Sequence, residues 1–329
     1  MYNFKDIRDV HLELTTKCQA RCPMCPRRIN GGPINPLIEI TDIGLDTFKK
    51  WFPIDFVRQL DSLFMCGNYG DPIMSQDCAL ILDYLKTTNP EIRLSMHTNG
   101  SARDTAFWKE LARLDVRVVF GIDGLSDTHT FYRINTDFDR IIDNASQFIQ
   151  AGGHAEWHML IFQHNEHQID ECHRLSQQLG FKHFQIKHTT RFVDGKFHVL
   201  NDQGKTINIL YPTEKSKQMT GKVTQYLNDV SPTIQCKAQK YKQIYVSADG
   251  TVSPCCWLDF NWILPKQDTR IDYMDKIGIF PNLNNTSLEN IFDSNFFNNI
   301  ERTWTTDCLK ECSKQCGSFD KLRAQFNEH

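Results

Sequence analysis

At 329 residues the chain has room for one large domain and a smaller one, and its 40% hydrophobic and 23% charged content is that of an ordinary globular protein. The net charge of -3, with Lys and Arg scattered, leaves no basic footprint for nucleic acid, and no apolar run is long enough to span a bilayer. Twelve cysteines without a charged n-region and apolar h-region before Val10 argue against a disulfide framework and for metal ligation in a reducing compartment, the cytoplasm.

From residue 9 to about 188 short apolar runs alternate with helical periodicity. Strands are expected at Val10–Thr15, Leu60–Cys66, Ile92–His97, Val116–Ile122, Ala155–Phe162 and Phe181–Lys187. Between them Cys78, Ile81, Leu82 and Leu85 mark one amphipathic helix over 76–87, and Phe138, Ile141, Ile142, Ala145, Phe148 and Ile149 another over 137–150. A helix over 166–179 should stop at Gly180, a C-cap glycine. Six such repeats imply parallel strands with right-handed crossovers, closing as a partial (β/α)6 TIM-like barrel. In such barrels the loops after the strands build the site.

Residues 191–235 break this rhythm and read as a bridge after a barrel over 1–190. Phe197–Leu200 and Thr206–Leu210 flank Asn201-Asp202-Gln203-Gly204 as a hairpin, and a polar helix is expected over 213–229. A smaller α+β module then runs over 236–329. In it Gln243–Ser247 and Thr251–Cys255 form a hairpin around Ala248-Asp249-Gly250, and a helix over about 287–303 has Ser287 as its N-cap.

The first strand runs into Cys18-Gln19-Ala20-Arg21-Cys22-Pro23-Met24-Cys25, three thiols spaced CxxxCxxC with no fourth Cys nearby. Structural zinc takes four ligands, commonly in two pairs. Three thiolates on a four-iron cluster instead leave one metal position open for a small molecule. This triplet after a first strand resembles the radical S-adenosylmethionine (SAM) superfamily. The resemblance implies a [4Fe–4S] cluster on Cys18, Cys22 and Cys25 whose open iron is chelated by SAM. An electron then cleaves SAM, and the 5′-deoxyadenosyl radical takes a hydrogen atom from a substrate carbon.

Later strand ends carry the same resemblance. Gly70-Asp71-Pro72 after the second strand is similar to the family's Gly-Gly-Glu-Pro turn that holds the SAM amino group. Thr98-Asn99-Gly100 follows the third strand near the expected SAM pocket. Gly121-Ile122-Asp123-Gly124 ends the fourth, with Gly121 where the family often has Ser, leaving any contact to backbone or Asp123. Arg133 would pair with the SAM carboxylate, a job suited to a guanidinium fork. Gln163, His164, Asn165, Gln185, Lys187 and His188 lie toward the same rim as candidates for ribose, adenine or substrate.

The C-terminal cysteines extend the likeness. Cys236, then Gly250 after thirteen residues, then Cys255 resembles the opening of a SPASM module, an auxiliary iron–sulfur domain. The full pattern departs later: Cys308, Cys312 and Cys316 are spaced CX3CX3C, with no cysteine beyond. With Cys256 these are six thiols, enough to fill one four-thiolate cluster but not two. The resemblance therefore implies a shortened, twitch-like module with one auxiliary [4Fe–4S] cluster on Cys236, Cys255, Cys316 and either Cys312 or Cys308; a zinc knuckle is the rival. Cys256, taken to alternate with Cys255 along a strand, is expected to be buried or to face the active site.

Cys78 and Cys172 sit on apolar helical stripes and read as core. Cys66 ends a barrel strand, where a thiol could return a hydrogen atom to a substrate radical, as in radical SAM epimerases; core packing is the plainer reading. The relatives imply a reductant such as flavodoxin or ferredoxin, and as substrate a peptide or a small molecule such as a sugar or nucleoside, with no nucleic-acid or membrane partner. The first strand begins within about ten residues of Met1, so a winged-helix leader-binding domain is not expected. A non-catalytic zinc or iron–sulfur protein is the reading from a different class.

Overall fold

The computed structural model describes residues 1–220, 233–263 and 269–317. Its main sheet has eight strands. Six are the barrel strands: β1 (Asp9–Leu12), β2 (Ser62–Met65), β3 (Arg93–Thr98), β4 (Val116–Gly121), β5 (Ala155–Leu160) and β6 (His183–Lys187), all parallel and in sequence order. Each overlaps its predicted run, with ends shifted by a few residues. Helices α1 (Leu45–Trp51), α2 (Ile54–Arg58), α3 (Cys78–Thr88), α4 (Thr105–Arg113), α5 (His129–Tyr132), α6 (Phe138–Gln150) and α7 (Ile169–Leu179) fill the crossovers. Gly180 ends α7 at φ 89°, the left-handed conformation a C-cap glycine supplies without a Cβ penalty.

Strand alternation separates two faces. Val10, Leu12, Leu63, Met65, Leu94, Met96, Val118, Phe120 and Trp157 turn outward onto the helices, and Trp108, Phe120 and Phe148 pack together there, as do Cys78 and Cys172. The opposite, lumenal face is polar. A row of rings crosses it from Tyr245 to His11, Phe64, His97 and His158, with centroids 4.9–5.4 Å apart. Burial holds His11 near 4, His97 near 3 and His158 near 3, so this row is uncharged at neutral pH.

The bridge supplies β7 (Phe197–Leu200) and β8 (Thr206–Leu210), an antiparallel hairpin as expected, then a helical segment α8 over 214–220. The rest of the helix expected over 213–229 lies outside the described residues. After α9 (Lys237–Tyr241) come β9 (Gln243–Val246) and β10 (Val252–Ser253), antiparallel to each other. β9 pairs in parallel with β1, with His11 opposite Tyr245, so the hairpin widens the barrel sheet and leaves β10 and β6 as its edges.

Two expectations are corrected. The second strand of that hairpin stops at Ser253, and Cys256 opens helix α10 (Cys256–Ile263). A strand's two-residue alternation therefore does not set the direction of Cys256. The helix expected over 287–303 is two: α12 (Leu288–Asp293) and α13 (Phe296–Thr303), following α11 (Thr269–Ile277) and preceding α14 (Lys310–Cys316). Ser287 caps α12 by accepting from Asn290 N at 3.3 Å, and the Ser294 hydroxyl serves the start of α13. The break lets Phe292 and Phe297 stack at 4.4 Å and close on Tyr2, joining the chain's beginning to its last helices.

Candidate active site

The loop after β1 carries Cys18, Cys22 and Cys25, and hydrogen bonds pin it on every side. Arg27 Nε donates to Thr16 O at 2.7 Å, Arg191 Nη1 to Met24 O at 2.9 Å and Asn135 Nδ2 to Gln19 O at 2.7 Å. Asn99 Nδ2 stands 3.7 Å from Cys18 Sγ, and Arg133 Nη1 stands 3.8 Å from Cys22 Sγ. Burial, then the Cys22 thiol, push Cys25 up to about 11; Cys18 rises through burial, then Asp71 and its partner thiols. Thiols crowded and desolvated in this way are costly to ionise alone, and a bound cation is what makes thiolates affordable there.

The turn after β2 lies against this loop. A Cβ on Gly70 would run into the carbonyl of Thr15, so only glycine permits that approach. Asp71 is buried and accepts four times: from Ile73 N at 3.2 Å, Thr98 Oγ1 at 2.8 Å, Asn99 N at 2.7 Å and Asn99 Nδ2 at 2.5 Å. Those donors use the carboxylate's capacity, so Asp71 orients Asn99 toward Cys18. Pro72 opens the one-turn helix that follows.

Asp123, fully buried after β4, pairs with Arg133 Nε at 2.6 Å and accepts from Leu160 N at 2.6 Å. The Gly121 position now has a reason, since a Cβ there would strike the Arg133 guanidinium. Asn165 is also fully buried and spends its amide on Phe162 N, Asp123 O and Leu160 O. It holds the loop after β5 from inside.

Two residues the sequence reading passed over tie this turn to the C-terminal hairpin. Glu13 Oε1 accepts from Tyr69 N at 2.5 Å and Gly70 N at 3.3 Å, while Oε2 accepts from Tyr245 Oη at 2.6 Å. The signal lay in Val10-His11-Leu12-Glu13-Leu14, whose alternation puts His11 and Glu13 on the lumenal face. Burial pushes Glu13 from its ordinary 4.5 up to about 7, against the hydrogen bonds from Tyr245, Tyr69 and Gly70. The folded state then holds this proton more tightly than the unfolded chain. The stability it contributes is present below about pH 4.5 and lost as pH rises to about 7, on the order of 3 kcal/mol. Glu13→Gln should flatten that part of the stability profile, measured as denaturation midpoints between about pH 5 and 8; an unchanged slope would contradict the assignment.

Behind Glu13, Asp259 on α10 is fully buried, and burial followed by the Glu13 charge raises its carboxyl well above the usual range. Cys66 directly follows β2 in the same neighbourhood; burial, then Glu13 and Asp71, push its thiol up to about 12. Cys256 is raised by burial and by the charges of Cys255, Cys66, Asp259 and Glu13.

The second thiol set gathers beside β9. Gln235 N donates to Cys316 O at 2.7 Å, bringing the end of α14 to the start of α9, and the Cys236 thiol hydrogen-bonds Cys316. Cys255 feels Cys316, and Cys312 feels Cys255, Cys308 and Cys316. Cys308 lies at the margin, near Asp307 and Lys276. Among the described residues no three cysteine sulfurs lie within 4.8 Å of one another. One tetrahedral zinc, with bonds of about 2.3 Å, would draw its sulfurs to about 3.8 Å.

Comparison with known proteins agrees. The family model of the radical SAM superfamily matches residues 12–175, and that of the iron–sulfur cluster-binding SPASM domain matches residues 236–317. No curated protein is similar enough in sequence to match. Among solved structures, Streptococcus suis SuiB bound to S-adenosylmethionine is 14% identical with a TM-score of 0.59, covering 96% of this chain and 74% of SuiB. The enzyme anSMEcpe with AdoMet and the Cp18Cys peptide is 14% identical with a TM-score of 0.57, covering 95% and 87%. BtrN in complex with AdoMet and 2-DOIA is 13% identical at 0.50, covering 94% and 92%. The fold is thus a partial barrel with a C-terminal iron–sulfur module, and its cofactors are a [4Fe–4S] cluster, SAM and an auxiliary iron–sulfur cluster. The chain belongs to the radical SAM superfamily, as an enzyme of radical chemistry with a SPASM domain.

Proposed function

We propose that the chain modifies a peptide by hydrogen abstraction, with Cys18, Cys22 and Cys25 holding the SAM-binding cluster. When bound, cluster and SAM supply a radical that removes a hydrogen atom from a substrate carbon. The observation that carries this reading is the three-thiol loop, with Asn99 and Arg133 aimed at two of its sulfurs and no fourth thiol of its own.

The protein's own groups then divide the work. Asn99, oriented by Asp71, donates toward Cys18. Arg133, braced by Asp123, keeps its Nη groups for the sulfur of Cys22 and for the SAM carboxylate. The SAM amino group falls to the backbone of the Gly70-Asp71-Pro72 turn, which Glu13 holds. Asn165 acts from beneath, by fixing the loop beside Asp123. Cys236, Cys255, Cys312 and Cys316 hold one auxiliary [4Fe–4S] cluster, with Cys308 outside the set; an electron enters from a flavodoxin- or ferredoxin-like protein. Cys66, whose raised thiol keeps its proton at neutral pH, is placed to return a hydrogen atom to a substrate radical.

The peptide reading is supported by the likeness in fold to SuiB, also solved with the precursor peptide SuiA, and to anSMEcpe, solved with peptides. BtrN, solved with 2-DOIA, favours a small-molecule dehydrogenase or epimerase as the second reading. The test is turnover of the cluster-loaded enzyme on peptide and amino-sugar panels in deuterated water, read by mass spectrometry. A peptide product losing two hydrogens indicates crosslinking or oxidation. A product gaining one deuterium, lost in Cys66→Ala, indicates epimerisation with Cys66 as donor. Turnover confined to the sugar panel would overturn the peptide assignment.

A further inference from the structure

We propose that His154, Glu156 and His183 form a divalent-cation site, of the kind that takes Zn2+, at the N-terminal mouth of the barrel. The strand register builds it. Glu156 on β5 stands directly opposite His183 on β6, and His154 lies two residues before Glu156, on the same face. The three ligand atoms all lie within 4.8 Å of one another, and two imidazoles with one carboxylate are a ligand set that suits zinc, leaving a fourth position for water.

The surroundings of these three groups suit a shared ion. His154 Nε2 is shielded from solvent and stands 3.3 Å from Glu156 Oε1, close enough for both atoms to ligate one ion. Glu156 itself is nine-tenths buried, unlike the exposed carboxylates that cluster on any surface. Its other neighbours are Arg117 Nη1, 3.4 Å from Oε1, and His158 Nε2, 3.5 Å from Oε2. Arg117 is half exposed and has room to swing away when an ion enters. Because β6 is an edge strand, the ion would clamp the open end of the barrel and steady the strand that carries Lys187. The site lies at the opposite end of the sheet from the cysteine loop and is independent of the proposed reaction.

The test uses the full-length protein with its clusters loaded, so that the thiols are already occupied. Titrated with Zn2+, it should bind about one ion per chain and melt at a higher temperature. His154→Ala and His183→Ala should each weaken binding by about tenfold or more and remove the zinc-dependent rise in melting temperature, while 5′-deoxyadenosine formation stays at the wild-type level. Co2+ in the same site should lack the intense sulfur-to-metal absorption of a thiolate complex. Zinc binding unchanged in both variants, a thiolate-type cobalt spectrum, or no binding by the wild type would overturn the site.

Discussion

Cys18→Ala, Cys22→Ala and Cys25→Ala are each expected to reduce 5′-deoxyadenosine formation to background, about a thousandfold or more, because the cofactor supplies the whole of the difficult chemistry. The same variants should keep their auxiliary iron, since Cys236, Cys255, Cys312 and Cys316 lie on other elements and are joined to one another through α9, α10 and α14. Iron content should therefore fall by about half rather than to zero. Conversely Cys312→Ala should lose the auxiliary share, whereas Cys308→Ala should not, because Cys308 stands beside Asp307 and Lys276 at the edge of the set. A Cys308 variant that loses as much iron as the Cys312 variant would move the fourth ligand.

Asp123→Asn should produce the largest loss of stability among the lumenal substitutions. Its carboxylate is fully buried and carries both the Arg133 guanidinium and the Leu160 amide. The amide keeps the acceptor for Leu160 N but leaves Arg133 without its counter-charge. Removing one partner of a buried pair costs about 3–5 kcal/mol, and Arg133 retains some solvent, which places the effect near the lower figure. A fall in melting temperature of about 4–5 °C is the expected reading for a chain of this length. Arg133 would also lose its aim toward Cys22, so SAM affinity should drop about tenfold or more. A variant as stable as the wild type, with unchanged SAM affinity, would show that Arg133 is positioned by something other than Asp123.

Much of this was legible in the chain, and for physical reasons. Strand-and-helix alternation depends on side-chain period, so the six barrel strands and the helices carrying Cys78 and Cys172 could be read directly. Gly180 and Ser287 announced helix ends because only their local chemistry satisfies a C-cap or an N-cap. What could not be read depends on contacts distant in sequence. Glu13 and Tyr245 are separated by 232 positions and meet only because β9 joins β1. The burial of Asp259 and the convergence of His154 with His183 likewise follow from packing and register. Cys256 is shielded and sits among Cys66, Glu13 and Asp259 as expected, but through the start of α10 rather than through strand alternation, since β10 ends at Ser253. The inward turn of Asp71 toward Thr98 and Asn99 was hidden for the same reason, as its donors come from the neighbouring strand.

The central claim is best tested by anaerobic reconstitution with iron and sulfide, followed by metal counting and assay of 5′-deoxyadenosine with SAM and a strong reductant. The account predicts about eight irons per chain, two four-iron clusters, together with SAM cleavage. About four irons with cleavage would remove the auxiliary cluster and leave the enzyme. Stoichiometric zinc, or iron without any cleavage of SAM, would contradict the account.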